Sequence, residues 1–158
     1  MITNRLGIPG LGFRYFRGES DYQIISDLIA ASKDHDQVER TISVEEVTRT
    51  YTHLTNCDPQ QDVLFAEIDG QAVGYCRNWW FQELDGDWLG GMFCVVVPAW
   101  RRRGIGSALL RRAEARLCQV KAELEQVGRL EPGEPRFFNE EVQSTEVDRV
   151  ALFAKFGY

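Results

Sequence analysis

The run Cys94-Val-Val-Val-Pro98, followed closely by Arg101-Arg-Arg-Gly-Ile-Gly106, constrains this chain more than any other segment. Consecutive valines favour a buried strand, and Pro98, which cannot donate to a ladder, stops it. From Ile105 onward, Leu109, Ala113, Leu117, Val120, Leu124 and Val127 recur at helical spacing. A long amphipathic helix therefore begins a few residues after the strand ends. The first N–H groups of such a helix have no intrahelical acceptors, and the helix dipole favours negative charge beside them. Gly104 and Gly106 allow the backbone to approach an anion closely, and Arg101, Arg102 and Arg103 add positive charge. The expected ligand carries phosphate.

The remaining elements can be placed around this unit. Phe13-Arg-Tyr-Phe16 alternates as a first short strand. Ser20-x-x-Gln23 has the form of a capping box, and Ile24, Ile25, Leu28 and Ile29 extend a helix to about Lys33. Ser43-x-x-Glu46 repeats the signal, with Val44, Val47, Tyr51 and Leu54 on one face and Asn56-Cys-Asp-Pro59 as the stop. Val63–Ile68, the turn Asp69-Gly70, and Gln71 to about Phe81 form a β-hairpin. Glu83-Leu-Asp-Gly-Asp87 is a second, acidic turn into a long strand from Trp88 to Val97, with a bulge expected at Gly90-Gly91. After a loop from Gly128 to Pro135, a fifth strand is expected from Arg136 to about Val142. Thr145-x-x-Asp148 then opens a last helix that ends at Gly157. The order βααβββαβα is α+β, with consecutive antiparallel strands in the middle.

Composition narrows the function classes. A chain of 158 residues with 44% hydrophobic and 11% aromatic residues reads as one folded domain rather than a disordered segment. Asp and Glu number 24 against 18 Lys and Arg, a net charge of −6, which repels phosphate backbones and argues against a nucleic-acid partner. No apolar run approaches the roughly 20 residues of a membrane helix. The opening Met1–Gly10 lacks the apolar core of a signal peptide, so the expected location is cytoplasmic. Cys57, Cys76, Cys94 and Cys118 form no Cys-x-x-Cys pair and are expected as reduced core thiols. His35 and His53 read as surface residues, and no metal site is expected.

The glycine loop matches neither common nucleotide motif. A dinucleotide fingerprint would need a third glycine where Leu109 stands, and a Walker loop needs Gly-Lys-Ser/Thr. Arg101-x-x-Gly104-x-Gly106, behind a strand and a proline, instead resembles the coenzyme A signature Arg/Gln-x-x-Gly-x-Gly/Ala of the GNAT superfamily of N-acetyltransferases. The element order agrees, and Ala151-Leu-Phe-Ala-Lys-Phe-Gly-Tyr158 looks like that family's last helix with its Gly-Phe/Tyr ending.

The resemblance implies an acyl-CoA N-acyltransferase fold over residues 1–158, a central, mostly antiparallel mixed sheet flanked by helices. It implies acetyl-CoA as co-substrate, no metal, and a primary amine on a small molecule or peptide as acceptor. The coenzyme pyrophosphate would lie on the backbone of Arg102, Arg103, Gly104, Ile105, Gly106 and Ser107, next to Arg101. The pantetheine arm would pair with the main chain of Cys94, Val95 and Val96, whose N–H groups polarise the thioester carbonyl. Glu141 falls where some members place a glutamate base on the fifth strand, although Glu140 and Glu141 also read as a solvated strand end. Glu83, Asp85 and Asp87 read as a solvated turn. Phe153 stands where many members carry a tyrosine general acid, with Tyr75 and Tyr158 as substitutes, and Glu146 where an asparagine often assists coenzyme binding. Of Trp79, Trp80 and Trp88, most are expected in the core, an aromatic acceptor pocket being the alternative. A non-catalytic coenzyme A-binding or scaffolding module is the rival reading. Because family members add one or two strands beyond the Gly-Phe/Tyr motif, the expectation is a domain truncated at its C-terminal end. The opening residues and Leu54–Pro59 look similar to the first half of tandem-GNAT, mycothiol synthase-like proteins. Completion by a second copy in a homodimer is the alternative.

Overall fold

The structure, a computed structural model, describes residues 6–39, 41–84, 86–131 and 136–158. One sheet organises it, made of β1 (Leu11–Tyr15), β2 (Val63–Ile68), β3 (Gln71–Gln82), β4 (Trp88–Val96) and β5 (Arg136–Asn139), in that spatial order. β1 to β4 are antiparallel neighbours, while β5 runs parallel to β4 over Trp88–Gly91. A parallel pair needs a crossover, and the long helix α5 (Ile105–Gln126) lies between the two strands in sequence. The α+β mixed sheet of the sequence reading is the observed one.

Local chemistry explains most element boundaries. Asp69 and Gly70 both take positive φ, 49° and 84°. That is the requirement of a two-residue type I′ turn, and it joins β2 to β3. The helix α3 (Val44–Thr52) carries the expected capping box: the Glu46 N–H donates to Ser43 Oγ at 3.2 Å and the Ser43 N–H to Glu46 Oε2 at 2.8 Å.

Other boundaries differ from expectation. The helix α1 (Ser20–Ala30) has Glu19 as its N-cap, without a side-chain cap. Asp21 anchors that end instead, accepting from the Arg17 N–H at 2.7 Å and from both Nη atoms of Arg14 at 2.8 Å. α1 stops early, and the short α2 (Lys33–Asp36) follows it. Another single turn, α4 (Pro59–Asp62), forms where a plain stop was expected, because Asp58 caps it and Pro59 suits a first helical position. The last helix, α6, spans Val147–Phe156 with Glu146 rather than Thr145 at its N-cap.

β3 and β4 pair without a register shift from Gln82↔Trp88 to Gly74↔Val96, so the bulge expected at Gly90-Gly91 is absent. Both glycines make room for side chains. A Cβ on Gly91 would sit 2.3 Å from the Trp79 ring, and one on Gly90 about 3.0 Å from Leu117, Phe138 and Trp88. The register shift lies in β2 instead, between Ala66 and Glu67. The same β3–β4 register sets Cys76 directly opposite Cys94, Cα atoms 4.2 Å apart, and the two form a disulfide. This corrects the expectation of four reduced thiols: a hairpin brings together residues that no short motif links. Cys57 and Cys118, both half-buried, stand outside this disulfide.

The sheet buries a core on each face. On one, Met92, Cys94 and Val96 pack against the α5 stripe Ile105, Leu109, Leu110, Ala113, Leu117, Val120 and Leu124. Each of the larger side chains contributes about 1.5–3 kcal/mol by leaving water. On the other, Phe65, Tyr75 and Val95 pack against Ile25, Leu28 and Ile29 of α1 and Val47 and Tyr51 of α3. No helix of the described residues is long and apolar enough to cross a membrane.

Candidate active site

Beyond Gly91 and Asn139 the described parts of β4 and β5 cease to pair. A cavity of about 230 Å³ opens there, lined on one side by Cys94, Val95 and Val96 of β4 and by Arg101, Arg102, Gly104, Gly106 and Ser107 of the following loop and helix. Its other wall is α6, through Asp148, Arg149, Ala151, Leu152 and Lys155. The loop is shaped for an anion. A 3-10 turn over Pro98–Trp100 leads into Arg102 and Gly104, both left-handed at φ 61° and 89°. Such alternation turns successive N–H groups to one side. The Ala108 N–H already reaches back to the Gly104 carbonyl at 2.9 Å, so Ile105, Gly106 and Ser107 are the first helical residues, whose N–H groups have no acceptor within the helix. A Cβ on Gly106 would lie 3.1 Å from Leu152 Cδ2, so glycine keeps the helix start open against α6.

Eight of the ten residues expected to hold the coenzyme line this cavity. Arg103 and Ile105 do not: the Arg103 guanidinium lies 4.6 Å over the Trp100 ring, and the Ile105 side chain is in the core.

Arg101 lines the cavity, but its side chain has other partners. Nη1 and Nη2 grip the two carboxylate oxygens of Asp36 at 2.5 and 2.8 Å. Nη2 also donates to Ser32 Oγ at 3.0 Å, and Nε to the Val96 carbonyl at 2.7 Å. Burial works against the charged form of Arg101, yet the hydrogen bonds and attraction of Asp36 and Asp148 prevail and raise its pKa. This arginine ties α2 to the end of β4 and holds the loop. Its partners Ser32 and Asp36 carried no sequence signal. The α6 wall did carry one, in the helical spacing of Asp148, Ala151, Leu152 and Lys155.

The carboxylates divide by one residue of chain direction. β5 ends at Asn139, short of the expected Val142, so Glu141 is exposed in the connection to α6 rather than on the strand. Its carbonyl accepts from Arg149 Nη2 at 3.4 Å. Glu140 turns inward and pairs with Arg149, whose other arm pairs with Glu146. Glu146 is 2% exposed and also accepts from the Gln143 N–H at 2.7 Å. It clamps the loop before α6. Phe153 is in the core, edge-on to Tyr158. The Tyr158 hydroxyl donates to Glu114 at 2.8 Å, and burial together with Glu114 pushes its pKa up. Tyr75 shares a 2.9 Å hydrogen bond with Tyr51 on the opposite face of the sheet. Trp88 is fully buried, Trp79 covers Gly91, and Trp80 packs on the core. Glu83 and Asp87 bound an ordinary turn through the Glu83 N–H and the Asp87 carbonyl at 2.8 Å; Asp85 lies outside the described residues. His35 is exposed beside Asp148 at 3.4 Å, and His53 is exposed at the end of α3.

Several solved structures share this architecture. A GCN5-related N-acetyltransferase from Sphaerobacter thermophilus superposes with a TM-score of 0.74 at 21% identity, over 94% of this chain and 43% of that one. The present chain thus spans less than half the length of that relative. A putative acetyltransferase from Salmonella typhimurium, solved with its cofactor acetyl-CoA, gives 0.62 at 17% identity, over 94% of this chain and 79% of the other. Naa50 of Arabidopsis thaliana, in complex with the bisubstrate analogue CoA-Ac-MVNAL, gives 0.59 at 14%, over 94% and 82%. No curated protein matches the sequence. A family model described as an acetyltransferase (GNAT) domain matches residues 59–158, which run from α4 through the glycine loop to the end of the chain. That match covers well over half of the 158 residues and includes both walls of the cavity, and by it the chain belongs to the GNAT family of acetyltransferases.

Proposed function

We propose that this protein transfers an acetyl group from acetyl-CoA to a primary amine of a small molecule or peptide. The cavity between the Cys94–Val96 edge and the α5 N-terminus carries this reading, because it joins an anion cradle to a strip of open strand backbone. When bound, acetyl-CoA supplies the acetyl thioester. The loop backbone of Arg102–Ser107 would hold the pyrophosphate, aided by the charges of Arg102 and Lys155, while Arg101 keeps the cradle in place through Asp36. The main chain of Cys94, Val95 and Val96 would hold the pantetheine arm and stabilise negative charge on the carbonyl oxygen.

The attacking amine must be neutral, so a base must take a proton from its ammonium form. Glu140 is committed to Arg149, and Glu141 is the proposed base: its side chain is exposed in the connection to α6, and its carbonyl accepts from Arg149, which lines the cavity. Among the described residues no tyrosine lines the cavity. A phenolic acid is dispensable here, since a thiol with a pKa of about 8.5 departs readily as thiolate.

The test is a melting curve with and without acetyl-CoA, followed by turnover against a panel of amines. At a hundredfold excess over Kd, ligand linkage of about 2.7 kcal/mol should raise Tm by roughly 5–11 °C in a domain of this size. Gly106→Asp should abolish the shift, because its carboxylate would occupy the cradle and press on Leu152. An unchanged Tm at saturating acetyl-CoA would overturn the proposal. A normal shift without turnover of any amine would favour the non-catalytic reading.

A further inference from the structure

A second cavity, of about 430 Å³, lies on the other face of the sheet under α1 and α3, lined by Tyr51, Tyr75, Arg77 and Phe93, with Glu46 and Arg49 from α3. Arg77 stands out in it. Four other arginines, Arg14, Arg101, Arg116 and Arg149, each hold a buried or half-buried carboxylate. Arg77 forms no salt bridge among the described residues, and its Nε is buried without a hydrogen-bond partner. The guanidinium only lies against rings, 5.1 Å from Trp79 and 5.9 Å from Tyr51. Taking a cation from water without a counter-charge is costly, so a half-buried guanidinium with spare donors marks a place made for an anion.

The surroundings agree. Two guanidiniums face one carboxylate in this cavity, and that carboxylate, Glu46, is already engaged by the Ser43 N–H. The local charge is thus opposite to the net −6 of the chain. Tyr51 and Tyr75 hydrogen-bond to each other, so whichever accepts keeps its own O–H to donate. Ile25, Ile42 and Val47 supply apolar wall. Phe93 connects the two cavities: it lines this one, while the Arg149 guanidinium, which lines the first, lies 5.0 Å over its ring.

We propose that this second cavity is the acceptor site and that it selects amines that also carry a carboxylate, as a free amino acid does, with Arg77 gripping the carboxylate and Arg49 at the rim. The inference rests on the acetyl-transfer reading for what happens to the amine, but not for the binding itself. A guanidinium presents a planar fork that matches a carboxylate in two hydrogen bonds, which an amide or a bare amine cannot reproduce.

The test uses L-amino acids, each with its C-terminal amide and its decarboxylated amine, titrated calorimetrically into the protein with and without saturating coenzyme A, and assayed for acetylation by kcat/KM. At least one acid should bind about tenfold or more tightly than its amide and its amine. Arg77→Gln should remove that preference while leaving the weaker amide affinity alone, and Arg77→Lys should restore part of it. The ligand-free Tm of Arg77→Gln should be unchanged or higher, because an unpaired charge is lost. If acids bind no better than their amides throughout the panel, or if Arg77→Gln keeps the preference, the inference is overturned. The acetyl-CoA melting shift does not involve Arg77, so failure of coenzyme binding and failure of carboxylate selection are read separately.

Discussion

Replacing Arg101 by methionine separates two roles that a motif reading merges. If the first arginine of Arg-x-x-Gly-x-Gly were an anion ligand, its loss would weaken coenzyme binding and leave the fold intact. The structure gives it a different task. Its side chain is 8% exposed and that of Asp36 is 3% exposed, so the pair is shielded from water. Arg101→Met keeps much of the apolar stem but strands the Asp36 carboxylate. Breaking a buried pair from one side costs about 3–5 kcal/mol. At roughly 2–4 °C per kcal/mol, the Tm should fall by about 6–20 °C. Urea unfolding without ligand should report the same loss as a lower midpoint with an unchanged slope. Two companion variants sharpen the reading. Arg103→Met removes an exposed guanidinium over Trp100 and should change stability by less than about 1 kcal/mol. Asp36→Asn added to Arg101→Met should recover part of the stability, because the stranded charge disappears. If Arg101→Met melts with the parent and loses only coenzyme affinity, the clamp argument fails and the guanidinium is an anion ligand.

Two further outcomes follow from the carboxylates and thiols. Glu141→Gln should lower turnover by about 10²-fold or more with coenzyme affinity unchanged, as expected for a group that only moves a proton; equal turnover would remove Glu141 from the mechanism. Burial, with Asp62 nearby, pushes the Cys57 thiol from 9.0 up to about 12. Iodoacetamide labelling of Cys57, mapped by mass spectrometry, should therefore keep rising well above pH 9, and a plateau near 9 would contradict the assignment. The unfolded thiol ionises first, so this group's contribution to stability is complete below pH 9 and is lost as pH climbs toward 12.

The readable parts of the sequence were those whose physics is local. The strand to Val96, the turn Asp69-Gly70, the α5 stripe and the Ser43–Glu46 box each depend on residues a few positions apart, and all appear in the structure. The misplaced parts turned on competition. Ser20 offered a cap, but Asp21 was better placed to take the Arg17 N–H and the Arg14 guanidinium. Gly90 and Gly91 suggested a bulge, whereas rings packed across the sheet required them. A strand that ends at Asn139 instead of Val142 leaves Glu140 inward and Glu141 in water, an outcome that one residue of register decides.

By itself, then, the sequence determined the order of the strands and the longer helices, the glycine cradle and the family, because helix and strand periods and an open helix N-terminus are written in neighbouring residues. Only the tertiary structure decided that Arg101 belongs to Asp36, 65 positions away, that Cys76 meets Cys94, and that Arg77 meets no carboxylate among the described residues. Whether a buried charge is paired depends on every element packed around it, and that sum exists only once the chain has folded.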